Sequence, residues 1–293
     1  MNTPGRPQKT LHAYLFLSPA LLLLAVFSFW PVLFGSALAF TDYSLIRPTH
    51  WVGLDNFRRI FHNEMFLAGL KNSLLFLLIV PVIQIGALAL AVLVNQPLRG
   101  IRLFRAAFYL PVVTTVSVVG IMWGFMLHEQ GPLNWLLLQL HLINAPVGWL
   151  SDDAIAIFAI MFVTIWRGLG WYMVMYLAAL QSVPLEMQEA ALLDGANGWQ
   201  RFWKITVPML RPTIAVCTVM SVLAALKAYQ EVDVLTQGGP LNSTFTALYY
   251  AYDQGLNHLK LPRGLAASLV VSSVCIAIAL LCARIIKPRG ADA

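Results

Sequence analysis

Apolar residues fill six long stretches of the chain, and shorter polar connections separate them. An α-helix that crosses a bilayer needs about 20 consecutive, mostly apolar residues. The pattern therefore predicts an all-α membrane protein with six transmembrane helices. The predicted spans are residues 13–40, 72–94, 106–127, 154–180, 213–229 and 265–286. Prolines lie within the first three spans, where neighbouring groups can satisfy the carbonyl groups that proline leaves free.

The first apolar stretch has a basic leader and an Ala37-Leu38-Ala39 triplet, as a cleaved secretory signal would. The apolar core of such a signal is about 7–15 residues long. Here the stretch runs from Ala13 to Phe40. We therefore expect it to be the first spanning helix and to remain in the protein.

The composition supports a membrane protein. Of the 293 residues, 59% are apolar and 11% are charged, and the mean hydropathy is +0.73. Soluble domains contain about 45–50% apolar and about 25% charged residues. The three cysteines, Cys217, Cys275 and Cys282, lie inside apolar stretches without metal-ligand spacing, so they predict neither a disulfide framework nor a metal site. We interpret the net charge of +6 as a sign of membrane topology and expect no nucleic-acid binding.

Lysine and arginine residues are divided unevenly between the connections. Eleven fall on one side of the predicted membrane and five on the other. Cytoplasmic segments hold the excess of basic residues, so both termini and the connection at 182–212 are predicted to be cytoplasmic. The larger set is Arg6, Lys9, Arg99, Arg102, Arg105, Arg201, Lys204, Arg211, Arg284, Lys287 and Arg289, and the smaller set is Arg47, Arg58, Arg59, Lys260 and Arg263.

Three further basic residues, Lys71, Arg167 and Lys227, lie at the edge of predicted spans or within them. Lys71 is predicted to open the second span, where its side chain can reach the interface. Arg167 and Lys227 lie deeper, and a charge at such depth normally faces a cavity, the bundle interior or a counter-charge. Two interpretations stay open for both residues. One is a place on a solute pathway, and the other is a structural ion pair with Glu231, Asp233 or a partner subunit.

The other connections are too short to form a soluble domain. The longest are residues 41–71, 128–153 and 230–264. Residues 134–150 have modest apolar runs broken by polar residues, which predicts a helix on the outer membrane surface. Trp135 and Trp149 are expected at headgroup level, where tryptophan is enriched.

The connection at 182–212 is much longer than the roughly 2–8 residues that join neighbouring helices. Pro184 can occupy the first turn of a helix, with Ser182 as its cap. Gly195 can supply the left-handed conformation that ends this helix. Asn197 and Gln200 have the spacing of a capping box and predict the start of a second helix.

The second helix is predicted to be short and amphipathic. Trp199, Phe202, Trp203 and Thr206 share one face by helical spacing, and Pro208 with Pro212 is expected to end it. The segment would then be two short helices joined at a glycine on the cytoplasmic surface. It is either an ordinary amphipathic surface pair or a docking element.

The sequence EAALLDGANGWQRFWKITVPMLRP, residues 189–212, resembles the cytoplasmic EAA loop of ABC importer permeases. The family pattern is E-A-A-x-x-D-G-A, then an aromatic residue, I-x-x-P and a further proline.

The segments WVGLDNF (51–57) and TQGGP (236–240) are similar to the carbohydrate-uptake members, which include membrane subunits of the maltose and glycerol-3-phosphate importers. The resemblance covers nearly the whole chain. The large periplasmic insert and extra leading spans of the larger maltose subunit are missing. The positions that match the loop pattern are Glu189, Ala190, Ala191, Asp194, Gly195, Ala196, Phe202, Ile205, Pro208 and Pro212.

This resemblance implies the type I ABC importer permease fold with a cytoplasmic coupling helix. In that family the loop fits a cleft on an ATP-hydrolysing subunit. The implied complex contains a second, different permease, two copies of the ATPase and a periplasmic or lipid-anchored solute-binding protein. It would lie in the cytoplasmic (inner) membrane of a bacterium or archaeon. ATP and Mg would be used by the ATPase subunits, and no cofactor by this chain. The residues implied in ATPase coupling are Glu189, Ala190, Ala191, Asp194, Gly195, Phe202 and Pro208.

The resemblance also implies that the fourth and fifth spans line the solute pathway. The matching positions are Thr164, Arg167, Gly168 and Trp171 on the fourth span, and Leu223, Leu226 and Lys227 on the fifth. A tryptophan beside charged groups suits a sugar ring, although Trp166 and Trp171 could instead serve helix packing. A glycerol-3-phosphate, phosphodiester or other polar solute is the alternative to a sugar.

Enzyme activity is not expected of this chain. It has no G-x-x-x-x-G-K-[ST] phosphate loop and no carboxylate pair placed for acid–base chemistry. The adjacent Asp152 and Asp153 leave a remote alternative, a membrane-embedded transferase. Nothing near them in the sequence supports it.

Overall fold

The computed structural model describes residues 6–44, 46–96 and 99–286, and the side chains of residues 15–44, 46–96 and 99–282. Both termini, which are predicted to be cytoplasmic, lie outside these ranges. Within them the regular structure is helical, apart from a single bridge between Thr41 and Trp51. The α-helices in chain order are α1 Arg6–Leu24, α2 Trp30–Leu38, α3 Asp55–Phe61, α4 Glu64–Leu75, α5 Ile79–Val94, α6 Ile101–Val113, α7 Val116–Met126, α8 Pro132–Gln139, α9 Ala156–Gln181, α10 Leu185–Leu193, α11 Gly198–Arg201, α12 Val207–Leu226, α13 Gln230–Leu235, α14 Ala247–Tyr252 and α15 Leu261–Ile286.

Among the described residues, five helical stretches are long and apolar enough to cross a membrane. A sixth is obtained if α6 and α7, which are bent by 102° at a short break, form one broken span. The helical membrane architecture therefore agrees with the sequence pattern. The five unbroken stretches are Leu15–Leu38, Glu64–Val94, Ala156–Gln181, Gly198–Leu226 and Leu261–Cys282.

The third span is not the single helix predicted for 106–127. Thr114 and Thr115 have extended backbone conformations, with ψ of 135° and 147°. The Thr114 hydroxyl donates to the carbonyl of Leu110 at 2.9 Å. Pro111 removes a hydrogen bond from the last turns of α6, and β-branched residues favour extended backbone. The break therefore falls at the two threonines.

Two spanning helices contain a π-helical turn that ends two residues before a proline. The turns are Ala25–Phe29, before Pro31, and Phe202–Thr206, before Pro208. The next residue after each turn donates its amide N–H to the carbonyl five residues back. A proline in a helix has no N–H and its ring crowds the carbonyl four residues earlier. The wider turn accommodates that crowding, so the helix continues through the proline.

This continuity corrects the prediction for the fifth span. Pro208 lies in the first turn of α12 and Pro212 lies inside it. They do not end a separate short helix, because α11, the π turn and α12 together form the stretch Gly198–Leu226. The predicted span at 213–229 therefore begins earlier in the structure, and its helix ends at Leu226.

The remaining boundaries differ to smaller degrees. The second span begins at Glu64, where the Asn63 side chain accepts from the Phe66 N–H at 3.2 Å and caps the helix. Lys71 consequently lies within this span and does not open it. The fourth span, Ala156–Gln181, is within two residues of its prediction, and the last helix begins at Leu261.

The chain forms two compact units. One contains the described residues of Met1–His62 and Ala251–Leu269, and the other those of Asn63–Tyr250 and Val270–Ala293. In the first unit, the segment WVGLDNF has a structural role. The side-chain amide of Asn56 is buried and donates to the carbonyls of Ala39 and Thr41, at 2.9 and 2.7 Å. It thereby fixes α3 to the chain that leaves α2.

In the second unit, α9 packs against α5, α6 and α12. The segment TQGGP belongs to a loop that is tied to α4, because the Asn72 side chain donates to the carbonyls of Ser243 and Phe245 at 2.7 and 2.8 Å. Within this loop Thr236 and Thr244 are joined through their hydroxyls at 2.8 Å. The motif thus stabilises the connection that follows α13.

The predicted surface helix at 134–150 is shorter than expected, and its two tryptophans differ. Trp135 on α8 is exposed. The indole N–H of Trp149 donates to the side chain of Asn134 at 3.1 Å, and its ring packs against the core that contains Val119 and Val163. Trp149 therefore contributes to packing, and its expected position at headgroup level stays a prediction.

Candidate functional site: a cavity among the spans and a projecting helix

A cavity of about 350 Å³ opens among the helices of the second unit. Small-molecule sites usually measure about 300–1,000 Å³ and combine apolar walls with a few polar groups. This cavity has that composition. Its lining residues come from α5, α6, α9, α12 and α13, and they are Ile79, Ile83, Val112, Thr164, Arg167, Gly168, Trp171, Tyr172, Ser221, Ala224, Ala225 and Glu231.

Four of the sequence-predicted residues meet in this cavity. Thr164, Arg167, Gly168 and Trp171 follow the i, i+3, i+4, i+7 spacing that puts residues on one face of a helix, and all four line the cavity. Gly168 keeps the wall close to α5, because a Cβ atom there would lie 3.2 Å from Ile83 Cδ1. Their shared position is established, whereas their contact with solute stays a prediction.

The two charged residues of the lining form an ion pair. Arg167 Nη1 lies 3.1 Å from Glu231 Oε1. The Arg167 side chain is 28% exposed and the Glu231 side chain 13%. Arg167 therefore has the counter-charge of the structural interpretation. The pair also faces a cavity, and the place of Arg167 on a solute pathway stays a prediction.

The two tryptophans of α9 have different surroundings. Trp166 packs edge-on against Trp123, with ring centroids 5.4 Å apart, and belongs to the core around Val119 and Val163. Trp171 is 43% exposed and lines the cavity. The packing alternative therefore applies to Trp166, while Trp171 keeps an accessible ring.

The positions predicted on the fifth span are not those that face the cavity. Ser221, Ala224 and Ala225 of α12 line it, whereas Leu223, Leu226 and Lys227 do not. A shift of two residues rotates a position by about 200° around an α-helix, at 3.6 residues per turn. Lys227 lies just beyond the last residue of α12 and is exposed. It has no ion pair with any residue whose side chain is described. Of the pairings left open for Lys227, those with Glu231 and Asp233 are therefore not formed, and Glu231 pairs with Arg167 instead. A pairing with a partner subunit stays a prediction.

A polar network that the sequence did not reveal adjoins the cavity. The side-chain amide of Gln84 on α5 donates to the Ser221 hydroxyl at 2.8 Å and to the Cys217 carbonyl at 3.1 Å. The Tyr176 hydroxyl donates to the Gln84 side-chain oxygen. These bonds tie α5, α9 and α12 together beside the lining residue Ser221. A lone glutamine within an apolar stretch is the signal that could have found the network.

The projecting segment begins with α10. Pro184 directly precedes this helix and does not occupy its first turn. The Ser182 hydroxyl donates to the Ala179 carbonyl at 2.7 Å, so it belongs to the end of α9 and does not cap α10. Glu189, Ala190 and four large apolar side chains of α10 are exposed, while Ala191 is buried. The apolar four are Leu185, Met187, Leu192 and Leu193.

The end of α10 has the predicted glycine conformation. Gly195 has φ of +79°. The amide N–H of Gly195 donates to the Leu192 carbonyl at 3.0 Å, and that of Ala196 to the Ala191 carbonyl at 2.9 Å. This pair of bonds is a Schellman motif, in which glycine is favoured because its φ is positive. Asp194, the residue before it, is exposed.

The start of α11 confirms the predicted capping box. The Asn197 side chain accepts from the Gln200 N–H at 2.9 Å, and the Gln200 side chain accepts from the Asn197 N–H at 3.0 Å. The Gln188 side chain donates to the Thr206 hydroxyl at 3.1 Å, which fixes α10 to the π turn. Thr206 is buried there.

The predicted aromatic face is present only in part. Trp203 packs edge-on against both Trp199 and Phe202, with centroids 5.6 and 5.3 Å apart. Trp199 and Trp203 are exposed, and Phe202 is half-buried at the start of the π turn. These rings therefore lie around the first turns of a long spanning helix, and not on a separate surface helix.

The fold and these two features are those of a membrane permease: spanning helices surround an open cavity with apolar walls and a few polar groups, and a short helix projects from the connection between two of them. The family model described as "Binding-protein-dependent transport system inner membrane component" matches residues 14–290. The chain therefore belongs to this family, and it is a transport component of the inner membrane, not an enzyme.

Similar proteins agree with this membership. The lactose transport system permease of Rhizobium radiobacter is 35% identical over 83% of this chain and 82% of its own. The sn-glycerol-3-phosphate transport system permease of Agrobacterium fabrum is 29% identical over 97% of both chains. A chain of the bacterial alginate ABC transporter, solved with an alginate pentasaccharide-bound periplasmic protein, is 25% identical over 96% of both chains, with a TM-score of 0.83. The predicted permease fold and family are thus confirmed.

Proposed function

We propose that this chain is one of two permease subunits of an ABC importer and forms half of the pathway for a sugar or sugar-like solute. A separate ATPase would act on it through α10. The cavity is the observation on which the proposal rests. It combines an accessible indole ring with hydrogen-bonding groups, and it has the size of a small-molecule site.

The cavity chemistry suits a saccharide. The Trp171 ring can stack on the apolar face of a sugar, and the Arg167–Glu231 pair and the Thr164 hydroxyl can bond its hydroxyl groups. The Thr164 hydroxyl donates to the Ile160 carbonyl at 2.9 Å, so its oxygen remains an acceptor. The name of the lactose relative favours the same class of solute.

A glycerol-phosphate solute is the second candidate. The Agrobacterium relative is named for sn-glycerol 3-phosphate, and the Arg167 guanidinium is a suitable phosphate ligand. The carboxylate of Glu231 already accepts a hydrogen bond from that guanidinium. This contact disfavours an anion, so the saccharide remains the preferred candidate.

The remaining partners follow from the family and from the projecting helix. We propose a second, different permease, two ATPase subunits that use ATP and Mg, and a periplasmic or lipid-anchored solute-binding protein. The exposed apolar side chains of α10 support a protein contact, because so short a helix would otherwise leave them in water. The contact is proposed for Glu189, Ala190, Ala191, Asp194, Gly195, Phe202 and Pro208, as the resemblance implies.

The solute can be tested with Trp171→Ala in proteoliposomes that contain the whole complex and its binding protein. We expect uptake of the saccharide to fall about tenfold, because aromatic stacking contributes up to ~1.5 kcal/mol. Labelled lactose, an uncharged saccharide, and sn-glycerol 3-phosphate, an anion, are the probes. Trp135→Ala is the matched control, since Trp135 is exposed on α8 and outside the cavity. Uptake of the phosphate alone would replace the saccharide with the second candidate, and equal effects of both variants would remove Trp171 from the pathway.

The proposed orientation has its own test. Segment 182–212 is proposed to be cytoplasmic and the connection at 128–153 external, as the basic residues indicate. In a chain without native cysteines, we expect Gln200→Cys to react only from the cytoplasmic side and Ala145→Cys only from the outside. Both residues are exposed. Reaction of both from one side would mean that α9, the one candidate span between the two positions, does not cross the membrane.

A further inference from the structure

The charges of the cavity come from two helices that are far apart in the sequence. Arg167 lies on α9 and Glu231 on α13. Among the residues that line the cavity, these two are the charged ones. Their 3.1 Å contact makes the lining neutral overall, although each side chain remains partly accessible.

The position of Glu231 is fixed by packing. Helix α13 lies against α7, where the absence of a side chain at Gly120 leaves room for Val234. A Cβ atom at Gly120 would overlap Val234 Cγ1. This contact sets the face of α13 that is directed to α7. Because Val234 is three residues beyond Glu231 on the same short helix, it also fixes the direction of Glu231. The carboxylate therefore meets Arg167 from a held helix, and not from a mobile loop.

The ion pair leaves hydrogen-bond donors and acceptors free for a solute. A guanidinium has five N–H donors and a carboxylate has two acceptor oxygens. The Arg167 and Glu231 side chains share one hydrogen bond, and no other bond to either is found among the described side chains. Donors and acceptors thus lie side by side, which complements hydroxyl groups because a hydroxyl both donates and accepts.

Without Glu231, the same cavity would be cationic. A single positive charge among apolar walls interacts strongly with a negative solute, because the local dielectric constant is low. Lys227 is exposed beyond the end of α12 and does not line the cavity. The charge preference of the cavity therefore depends on whether Arg167 is neutralised.

We propose that Glu231 determines the charge selectivity of this pathway: by pairing with Arg167 it makes the cavity accept uncharged, hydroxyl-bearing solutes and reject anionic ones. This assignment rests on the proposed permease function. It predicts that Glu231→Gln opens the cavity to anions, and that Arg167→Gln makes the cavity repel them.

Charged thiol reagents measure this property without knowledge of the natural solute. The three native cysteines are replaced by alanine, and Ala224→Cys places a reporter on the cavity wall, where Ala224 is exposed. The assembled complex in lipid vesicles is treated with an anionic methanethiosulfonate (the sulfonatoethyl reagent) or a cationic one (the trimethylammonium-ethyl reagent). The measured quantity is the ratio of the anionic to the cationic reaction rate.

We expect Glu231→Gln to raise this ratio about tenfold, equivalent to ~1.4 kcal/mol, and Arg167→Gln to lower it by a similar factor. The double variant should return close to the starting ratio, because both charges are then absent. A purely structural role for the pair would instead change both rates together. A ratio that stays within twofold in Glu231→Gln would overturn the proposal.

Two controls separate this result from the proposed function. Leu142→Cys, an exposed reporter outside the cavity, should show the same ratio in all variants, so that a change there would indicate a general surface effect and count against the proposal. A neutral methanethiosulfonate reports access alone. If it reached neither Ala224→Cys nor Thr164→Cys, the cavity would not be an aqueous pathway and the proposed solute site itself would be wrong.

Discussion

Gly195→Pro is expected to abolish solute uptake while the chain still inserts into the membrane. Gly195 has φ of +79°, whereas proline fixes φ near −65°. The substitution also removes the N–H that donates to the Leu192 carbonyl at 3.0 Å. Both changes break the Schellman motif, so α10 cannot keep its direction relative to the capping box that follows. Uptake and solute-stimulated ATP hydrolysis in the reconstituted complex are the measurements.

Gly198→Pro is the matched control, because it introduces the same residue three positions later. Gly198 is the first residue of α11, after the cap at Asn197, and proline is favoured at that position of a helix. A Cβ atom at either glycine would meet no atom within 4 Å, so the two sites differ in backbone conformation and not in space. We expect near-normal uptake in the control. Full uptake in Gly195→Pro would show that the geometry of this turn is not needed for coupling.

The local signals of this segment could be predicted from sequence because they involve neighbouring residues. The left-handed glycine at 195 and the reciprocal bonds of Asn197 and Gln200 depend on only a few positions. The continuous helix through Pro208 could not be predicted in this way. Proline normally ends a helix, and here a π turn just before it changes the hydrogen-bond register.

The cavity was predictable on one helix and not on the other. On α9, Arg167 and Trp171 stood out as a charge and an aromatic ring with a common face, and both line the cavity. On α12 the conspicuous residue was Lys227, yet the small residues Ser221 and Ala224 are the ones that face inward. The rotation of α12 is set by its contacts with α5 and α9, including the bond from Gln84 to Ser221. Such contacts are tertiary and leave no periodic signal in an apolar stretch.

The break between α6 and α7 illustrates the same limit. Residues 106–127 are mostly apolar, so their pattern predicts one span. Pro111 alone does not end a membrane helix. The bend places α7 where Gly120 can receive Val234 of α13, which in turn positions Glu231. The broken span therefore has a consequence for the cavity that only the packed structure reveals.

Gly170→Ala is expected to destabilise the second unit and to disturb the cavity wall. Gly170 is buried on α9. A Cβ atom there would overlap the Phe108 carbonyl oxygen and would lie 3.0 Å from Val112 Cγ2. The Phe108 contact is with backbone, so α6 as a whole must move, and overpacking of this kind costs about 1–3 kcal/mol. Thermal unfolding of the purified complex in detergent, followed by the loss of monodisperse protein, should show a lower midpoint.

Gly124→Ala is the control for this substitution, because Gly124 lies on α7 and a Cβ atom there meets nothing within 4 Å. We expect its unfolding midpoint to equal or slightly exceed that of the unchanged protein, since alanine favours the helix more than glycine does. Val112 belongs to the cavity lining, so displacement of α6 by Gly170→Ala should also alter the reactivity of Ala224→Cys toward the neutral thiol reagent. A normal midpoint together with unchanged reactivity would mean that α6 and α9 are not in the close contact described. A lowered midpoint with unchanged reactivity would confine the effect of Gly170 to stability and leave the cavity wall independent of α6.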